Sequence, residues 1–355
     1  MKLLYDSQIF INQKTGGISR YHYELYKRIC NNGHDAVIAG KFIKNRYLLN
    51  DLQFKRLFYN DSTASFAFFN KKIIKNKIRK GNYDIFHPTI ACDYFVDIIP
   101  KNKKVVFTIH DMIREKQCPD SGLVKLKMAQ RADRIITVSQ ASKDDVVEMW
   151  GIDENKISVV YHGSSMNPEL ANDININTPP AKYVLYVGDR GGYKNFETLA
   201  RAFAIANKKN PELFLVVVGR PFSKEEIIFL ENLGITDKTI LYSNITDNNL
   251  AYLYLKAMAF IFPSFSEGFG LPILESWSCG TPVILSNIPC FNEVAETSGY
   301  YIEPSSPDSI ADAICNIIED DLLSGELVRR GFERLKLFSW ERNYEQTLSV
   351  YKSLF

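Results

Sequence analysis

Residues 260–280 read FIFPSFSEGFGLPILESWSCG. An apolar run typical of a strand comes first, and a loop containing Gly268 and Gly270 follows it. Pro272 suits the first turn of a helix, and Gly280 is placed to end that helix. Glycines permit the close approach of a ligand, and a helix N-terminus offers free N–H groups and a positive dipole end. The segment therefore predicts a strand, an anion-binding loop and a helix in succession.

The same alternation of apolar runs and helical periodicity continues outward along both halves of the chain. Val, Ile, Phe and Tyr dominate the runs, as in strands that are buried on both faces. The runs predicted as strands are residues 2–5, 36–39, 85–87, 105–109, 135–138 and 157–161, then 183–187, 214–218, 240–242, 260–262 and 283–285. Such alternation gives parallel sheets with right-handed crossovers, so we expect an α/β chain with two doubly wound, Rossmann-like domains. In such sheets, ligands bind at the carboxyl ends of strands.

A polar segment rich in Asn and Pro, residues 166–180, lacks periodicity and is predicted to be a linker. We therefore expect an N-terminal domain over residues 1–165 and a C-terminal domain over residues 181–339. The final residues, 340–355, carry Tyr344, Leu348 and Tyr351 at helical spacing. This last helix is expected to pack back on the first domain.

Composition narrows the possible partners and cofactors. The chain has 355 residues, of which 46% are hydrophobic, and its net charge of +2 argues against nucleic acid as the main partner. Its six cysteines show neither CxxC spacing nor a Cys–His cluster, so we expect no metal site and a reducing compartment. The start of the chain lacks an apolar leader and no long apolar stretch follows, so we expect a cytoplasmic protein that at most touches the membrane surface.

Residues 66–80 suggest such a surface contact. They place Phe66, Phe69, Ile73 and Ile74 along one side of a predicted helix, with six Lys and Arg residues elsewhere on it. A basic amphipathic helix of this kind binds anionic membrane surfaces. A charged face that is simply solvated is equally consistent with the pattern.

Two acids mark the segment quoted first. Glu267 lies in its loop, and Glu275 is expected in the first helical turn beyond it. Carboxylates at these positions can accept hydrogen bonds from sugar or ribose hydroxyls. The alternative is two solvated acids, one of which favours the helix N-terminus.

These motifs resemble the signature of the family 4 glycosyltransferases of the GT-B fold, whose two Rossmann-like domains face each other across a cleft. The resemblance lies in EGFGLPILE at 267–275 with GTPVI at 280–284. It continues in VLYVGDRGGYKNF at 184–196, VSQASKD at 138–144, TIHD at 108–111 and GGISR at 16–20. The match follows the whole chain in order. Its wording is most similar to the mannosyltransferase-like branch that builds bacterial surface polysaccharides.

The resemblance implies catalytic roles for four residues. His110 would contact the transferred sugar, Glu267 would position donor hydroxyls, and Arg190 and Lys194 would neutralise the donor diphosphate. The family has Arg directly before this Lys where this chain has Tyr193, so Arg190 is expected to supply the guanidinium. The residues implied in donor binding are Gly16, Gly17, Gly188, Arg190, Lys194, Gly219, Tyr242, Ile245, Gly268, Phe269, Gly270, Leu271 and Glu275.

For several of these positions the residues alone leave a structural reading open. Arg190 and Lys194 also suit a basic surface turn, and a lone His at a strand end, such as His110, is often structural. Gly16 and Gly17 suit a simple tight turn, and Tyr242 suits a core.

The implied reaction is a retaining hexosyl transfer that needs no metal or other cofactor. The donor is expected to be a nucleotide-diphosphate sugar, GDP-mannose or a related GDP-sugar. The acceptor is expected to be a glycan or lipid-linked glycan in the synthesis of O-antigen, capsule or lipopolysaccharide. A UDP-sugar-dependent transferase and a sugar-nucleotide epimerase of the same fold are the alternatives. A dinucleotide oxidoreductase is disfavoured because residues 16–20 lack the pattern G-x-G-x-x-G.

Overall fold

The computed structural model describes residues 1–51, 58–59, 63–172 and 174–355. The chain divides into two compact units, residues 1–162 with 340–355 and residues 163–339. The segment predicted as a linker belongs to the second unit and contains a short 3₁₀ helix, Pro168–Asn172. The Tyr242 hydroxyl donates to the Asn177 carbonyl at 2.9 Å, which fastens this segment to the unit.

The first unit is built on a six-stranded parallel sheet. The strands of this sheet are β1 Lys2–Asp6, β2 Asp35–Ala39, β5 Ile85–Phe86, β6 Lys104–Ile109, β7 Arg134–Thr137 and β8 Ile157–Val159. A separate pair is formed by β3 Phe42–Ile43 and β4 Phe58–Tyr59. The sheet order is β2-β1-β5-β6-β7-β8, and β3 pairs with β4 in a separate two-stranded sheet. All these strands are parallel, but the order in which the chain adds strands switches direction between β1 and β5. In a doubly wound sheet, ligands bind at the carboxyl ends of the strands beside such a switch point.

Helices flank this sheet because their apolar residues recur at helical spacing. They are α1 Gln8–Asn12, α2 Gly17–Asn31, α3 Arg46–Asn50, α4 Thr63–Lys80, α5 Asp93–Val96, α6 Ile113–Gln117, α7 Leu123–Arg131 and α8 Gln140–Trp150. In α2 the fully buried Tyr21, Leu25 and Ile29 stand four residues apart, so one face of the helix enters the core.

The apolar side predicted for residues 66–80 needs correction. Asn70, Ile74 and Ile78 form the buried side of α4, whereas Phe69 is 55% exposed. Ile73 is half-buried, and the side chain of Phe66 lies outside the described residues. The buried side repeats every four residues, so the core takes Ile74 and Ile78 and leaves Phe69 to solvent.

The second unit repeats the architecture. Its strands are β9 Tyr183–Val187, β10 Phe214–Val218, β11 Thr239–Tyr242, β12 Ala259–Phe262, β13 Val283–Ser286 and β14 Tyr300–Ile302, in the order β11-β10-β9-β12-β13-β14. All its strand pairs are parallel. Its helices are α9 Phe196–Lys209, α10 Lys224–Asn232, α11 Asp247–Lys256, α12 Leu271–Ser278, α13 Pro289–Ala295, α14 Pro307–Glu319 and α15 Asp321–Leu335. Here the order reverses between β9 and β12.

The final helix, α16 Trp340–Lys352, packs in the first unit. The fully buried Tyr351 hydroxyl lies 2.7 Å from the Tyr5 hydroxyl and 2.6 Å from Nδ1 of His87. These contacts join the chain end to β1 and to the end of β5. Within the described ranges, no helix has both the length and the apolar character that a membrane span requires.

Candidate functional site

The loops that follow β9 and β12 meet at the point where the second sheet reverses its order. Asn195 joins them, because its Nδ2 donates to the carbonyl of Pro263, just after β12, at 2.9 Å. The same Nδ2 donates to the carbonyl of Pro304, which follows β14, at 2.6 Å. The backbone N–H of Phe265 donates to the Tyr193 carbonyl at 2.8 Å. The two loops are therefore fixed against each other at the edge of the sheet where doubly wound folds bind ligands.

Lys194 and Glu267 form an ion pair at this junction. The Lys194 Nζ lies 2.6 Å from Oε1 of Glu267, and the Ser264 hydroxyl donates to the same oxygen at 2.8 Å. The side chains are 18% and 11% exposed, so the pair is shielded yet reachable. Burial alone would lower the pKa of Lys194, but the charge of Glu267 and its hydrogen bond raise it above the usual value. Lys194 is thus held as a cation.

The glycine loop and α12 form one side of the same junction. Gly270 has φ of 104°, and a Cβ there would lie 2.9 Å from Ile273 Cδ1, so the position requires glycine. The buried Phe269 ring and its carbonyl, which accepts from the Cys290 thiol, anchor the loop. Leu271 begins α12; Pro272 has no N–H to donate, and the N–H of Ile273 donates to the Gly270 carbonyl at 2.9 Å.

Glu275 lies in the second turn of α12, one turn later than the sequence suggested. The Tyr254 hydroxyl donates to its Oε2 at 3.3 Å. Tyr254 is fully buried, and burial raises the pKa of its phenol well above the usual value, so it stays a neutral donor. This hydrogen bond from a core residue helps to fix the position of the Glu275 carboxylate.

Arg190, the residue expected to supply its guanidinium to the donor, is already engaged within the fold. Its side chain is fully buried, and its Nε and Nη2 donate to the two carboxylate oxygens of Glu226 at 3.0 and 3.1 Å. The guanidinium also lies 4.4 Å from the centre of the Phe222 ring. Glu226 is the third residue of α10 and forms a capping box with Ser223, so the pair is part of the helix start. Arg190 therefore holds α10 against the end of β9.

Gly188, Gly219, Tyr242 and Ile245 follow or end strands β9, β10 and β11. A Cβ on Gly219 would lie 2.6 Å from the Gly188 carbonyl oxygen, so these two strand ends approach closely only because residue 219 is glycine. Tyr242 is buried, and its hydroxyl is engaged by the Asn177 carbonyl. Ile245 is half-buried in the turn that precedes α11.

His110 follows β6 in the first unit and belongs to a group of four buried or half-buried histidines. Its ring lies 5.0 Å from Tyr21, 5.8 Å from His22 and 5.7 Å from His162, against which it stacks. Burial lowers the pKa of His110 to about 3, with a further lowering by the charge of Lys125. Within the described part of the chain, no group of His, Cys, Asp or Glu could hold a metal ion.

A chain of buried hydrogen bonds runs behind His110. His87 Nε2 lies 2.9 Å from the Thr108 hydroxyl, which lies 3.0 Å from the Tyr21 hydroxyl. Burial, and then the charge of His110, lower the pKa of His87 to about 3. Gly16 and Gly17 lie at the start of α2, four residues before Tyr21, so the glycine turn and His110 share one structural support.

Sequence reasoning missed several residues that shape these sites. Residue type and spacing gave no signal for most of them, since their partners are distant in the chain. Residue type could have indicated that Asn195 is a turn residue, because Asn tolerates the left-handed conformation that it adopts here, with φ of 58°. The missed residues are Asn195, Glu226, Tyr254, Ser264, His22, His87 and His162.

Two family models together cover most of the chain. Residues 15–166 match the model described as Glycosyltransferase Family 4, and residues 169–334 match Glycosyl transferases group 1. The boundary between the two matches falls near the division between the two units.

Relatives and solved structures agree with these models. The chain is 34% identical over 232 residues to the O-antigen chain mannosyltransferase RfbU of Salmonella typhimurium, covering 62% of each protein. It is 30% identical over 240 residues to O-antigen chain mannosyltransferase B of Escherichia coli, covering 63% of this chain and 61% of that one. The match thus spans about three-fifths of these relatives' length.

The structure of HepE from Anabaena, in complex with UDP and glucose, resembles this fold with a TM-score of 0.78 at 19% identity. The likeness covers 99% of this chain and 100% of that one. Two parallel Rossmann-like halves and the matched models agree: the chain belongs to the family 4 glycosyltransferases of the GT-B fold.

Proposed function

We propose that this protein is a retaining glycosyltransferase that moves a hexose, mannose or a related sugar, from a nucleotide-diphosphate donor to a glycan acceptor. The reaction needs no metal or other cofactor. The observation that carries the proposal is the shielded ion pair of Lys194 and Glu267, held at the point where the second sheet reverses.

Lys194 supports the proposal because Glu267 takes only part of the hydrogen-bonding capacity of its ammonium group. An ammonium has three N–H groups, and Glu267 takes one of them. The others can meet a diphosphate that gains charge as the glycosidic bond breaks. The N-terminus of α12 adds a positive dipole end that favours the same anion.

The two glutamates are proposed to position the donor and not to attack it. Glu267 already holds Lys194 and accepts from Ser264, so its carboxylate is fixed to accept further hydrogen bonds from sugar hydroxyls. Glu275, supported by Tyr254, is proposed to accept from the ribose. In the first unit, His110 stays neutral and is proposed to contact the sugar by a hydrogen bond and not by charge.

The names of the relatives support a mannose-type sugar and a surface polysaccharide, and the GDP-sugar is our own proposal. Because RfbU and mannosyltransferase B are O-antigen chain mannosyltransferases, we infer a mannose-type donor and, as acceptor, a glycan or lipid-linked glycan of O-antigen, capsule or lipopolysaccharide synthesis. A UDP-sugar is the alternative, since HepE holds UDP and glucose. We place the reaction in the cytoplasm, with peripheral contact at the inner face of the membrane.

The test is a donor screen followed by product analysis. Purified protein is incubated with GDP-mannose, other GDP-sugars and UDP-sugars, each with and without a chelator and a glycan acceptor. Release of nucleoside diphosphate with a new α-linked product, identified by its anomeric NMR signals, is expected with one GDP-sugar.

Matched variants connect the result to the site. Lys194→Met and Glu267→Gln should lose turnover, whereas Lys182→Met and Glu212→Gln remove an exposed pair of the same unit and should keep it. A free epimeric sugar in place of a glycoside would make the protein an epimerase. Full turnover by Lys194→Met would sink the proposed site.

A further inference from the structure

The turn that follows β6 is held by an ion pair between the next two helices. The Nζ atom of Lys125, on α7, lies 2.8 Å from each carboxylate oxygen of Glu115 on α6. The same Nζ donates to the backbone carbonyl of Asp111 at 3.0 Å. An ammonium group has three N–H donors, so these three acceptor atoms occupy all of them. Lys125 therefore joins α6, α7 and the residue that directly follows His110.

The burial of Glu115 separates this pair from the ordinary ion pairs of the surface. The Glu115 side chain is 3% exposed, whereas the pair of Lys116 and Asp145 has side chains that are 46% and 24% exposed. A Cβ on Gly122 would lie 2.5 Å from Cγ of Glu115, so the carboxylate reaches its place only because residue 122 is glycine. An exposed pair adds little to stability, but a buried carboxylate that loses its partner is strongly destabilising. The buried pair is therefore a fixed part of the fold.

The pair fixes the chain on one side of His110. On the other side, Ile109 ends β6, which is paired with β7. Lys125 holds the Asp111 carbonyl, and the Asp111 carboxylate accepts from the backbone N–H of Ile113 at 3.3 Å. His110 thus has a held neighbour in each direction, so its backbone has little freedom to turn the ring.

Lys125 also places a positive charge near the His110 ring. The titratable side chains around this ring come from several parts of the unit: Tyr21 and His22 of α2, His87 after β5, Asp111 next in the chain, Lys125 of α7 and His162 after β8. Burial lowers the pKa of His110 to about 3, and the charge of Lys125 contributes to that lowering. A nearby cation disfavours the protonated form of an imidazole, so Lys125 helps to keep this ring neutral.

A neutral ring at a fixed place suits the reaction proposed above. The transferred sugar gains positive charge as its bond to the diphosphate breaks, and a cationic imidazole beside it would oppose that change. A neutral imidazole can exchange a hydrogen bond with a sugar hydroxyl instead.

We propose that Lys125 is a positioning residue for the transfer reaction, which holds the turn that carries His110 and directs its positive charge at the ring. Lys125 acts through His110 and not on the substrate. Its role rests on the proposed function, in which His110 contacts the donor sugar. The alternative is an ion pair that only stabilises the fold, and the protonation of His110 distinguishes the two.

The first test titrates the histidine ring signals of the full, ligand-free chain by NMR, with His110→Asn identifying the signal. Lys125→Met should move the midpoint of the His110 titration upward by about two pH units, because a cation is lost and the Glu115 carboxylate is left bare. Lys125→Arg keeps the charge and should leave the midpoint where the parent has it. Lys116→Met, which removes the surface pair, should also leave it unchanged.

Kinetics with the donor that the screen identifies measure the consequence for transfer. Lys125→Met should lower kcat by about 10- to 100-fold at neutral pH, because His110 is no longer held in place, with little change in the KM for the donor. The acid limb of kcat against pH should move upward with the NMR midpoint, whereas Lys125→Arg should keep the parent's limb. Lys116→Met should keep both the turnover and the limb.

Circular dichroism and thermal unfolding check that each variant folds. Where Lys125→Met does not fold, the double variant Glu115→Gln, Lys125→Met replaces it, since no unpaired carboxylate is then left, and its midpoint should rise by about one pH unit. A His110 midpoint that is the same in the parent and in the variants without Lys125 would overturn the proposal and leave a structural ion pair. Absence of turnover with every donor would instead count against the proposed function, and the titration would still decide whether Lys125 acts on His110.

Discussion

The Lys194 ammonium lies 2.6 Å from the Glu267 carboxylate, although 73 residues separate them in the chain. Each follows a strand at the reversal of the second sheet, and Asn195 locks the two loops together. Both side chains are mostly shielded, so removing one charge of the pair leaves the other without its partner at a cost in stability.

Lys194→Met should reduce kcat by about 100- to 1,000-fold, because it removes one preorganised charge from the departing diphosphate. Steady-state kinetics with the donor identified in the screen measure the loss. Lys182→Met serves as the control, since Lys182 is 59% exposed and pairs with Glu212. A similar loss in both variants would show that the effect is general and not local.

Glu275→Ala should remove the ability to recognise ribose hydroxyls. We expect the parent protein to bind GDP about 10-fold or more tightly than 2′,3′-dideoxy-GDP, because a hydrogen bond to a charged group contributes about 1.5–3 kcal/mol. The variant should bind both nucleotides alike, as measured by calorimetry. If the variant still discriminates, Glu275 does not contact the ribose.

Gly270→Ala should destabilise the second unit by about 1–3 kcal/mol, since alanine would need a left-handed backbone and its Cβ would press on Ile273. Urea unfolding measures the change. Gly325→Ala is the matched control: it lies within α15, and a Cβ there meets no atom within 4 Å. That substitution should stabilise the protein by about 0.5–1 kcal/mol. Equal effects of both changes would contradict the strained geometry.

Most of the fold could be predicted from the sequence because its strands are buried on both faces. Runs such as Tyr183–Val187 and Phe214–Val218 are continuous and apolar, and the structure has them with these bounds. β3, β4 and β14 were not predicted: β3 and β4 form a separate two-stranded pair outside the main sheet, and β14 is a strand at the edge of the second sheet. Tertiary pairing alone defines them.

The site was predictable only in part, for a different physical reason. Motif spacing pointed to Lys194 and Glu267, and the fold brings them together. Spacing could not show that Glu226 takes the guanidinium of Arg190, because that partner lies 36 residues away on α10. Nor could it group His22 and His87 with His110, since only the sheet order places the three segments side by side.

Tyr351→Phe should destabilise the first unit by about 1–3 kcal/mol, because it leaves Nδ1 of the buried His87 without its partner. Urea unfolding of the variant tests this. Tyr344→Phe on the same helix is the control, since no described residue hydrogen-bonds its hydroxyl. A double-mutant cycle with Tyr5→Phe should show coupling, because the Tyr5 and Tyr351 hydroxyls lie 2.7 Å apart.

Acidification should destabilise the first unit between about pH 6.5 and pH 3. The pKa values of His87 and His110 fall to about 3 in the fold, against 6.5 for a free histidine. In this window the unfolded chain binds more protons than the folded one, so stability is full above pH 6.5 and falls as pH falls. Asp6 opposes this trend, because burial raises its pKa to about 6, but it is one group against two or more histidines.

Urea unfolding at several pH values between these limits measures the slope. His110→Asn should flatten it, because one group that takes up a proton on unfolding is removed. His34→Asn, a histidine outside the buried group, is the matched control and should keep the parent slope. A parent stability that stays level from pH 7 to pH 5 would mean that the buried histidines already carry their protons in the folded state or share them with neighbouring groups.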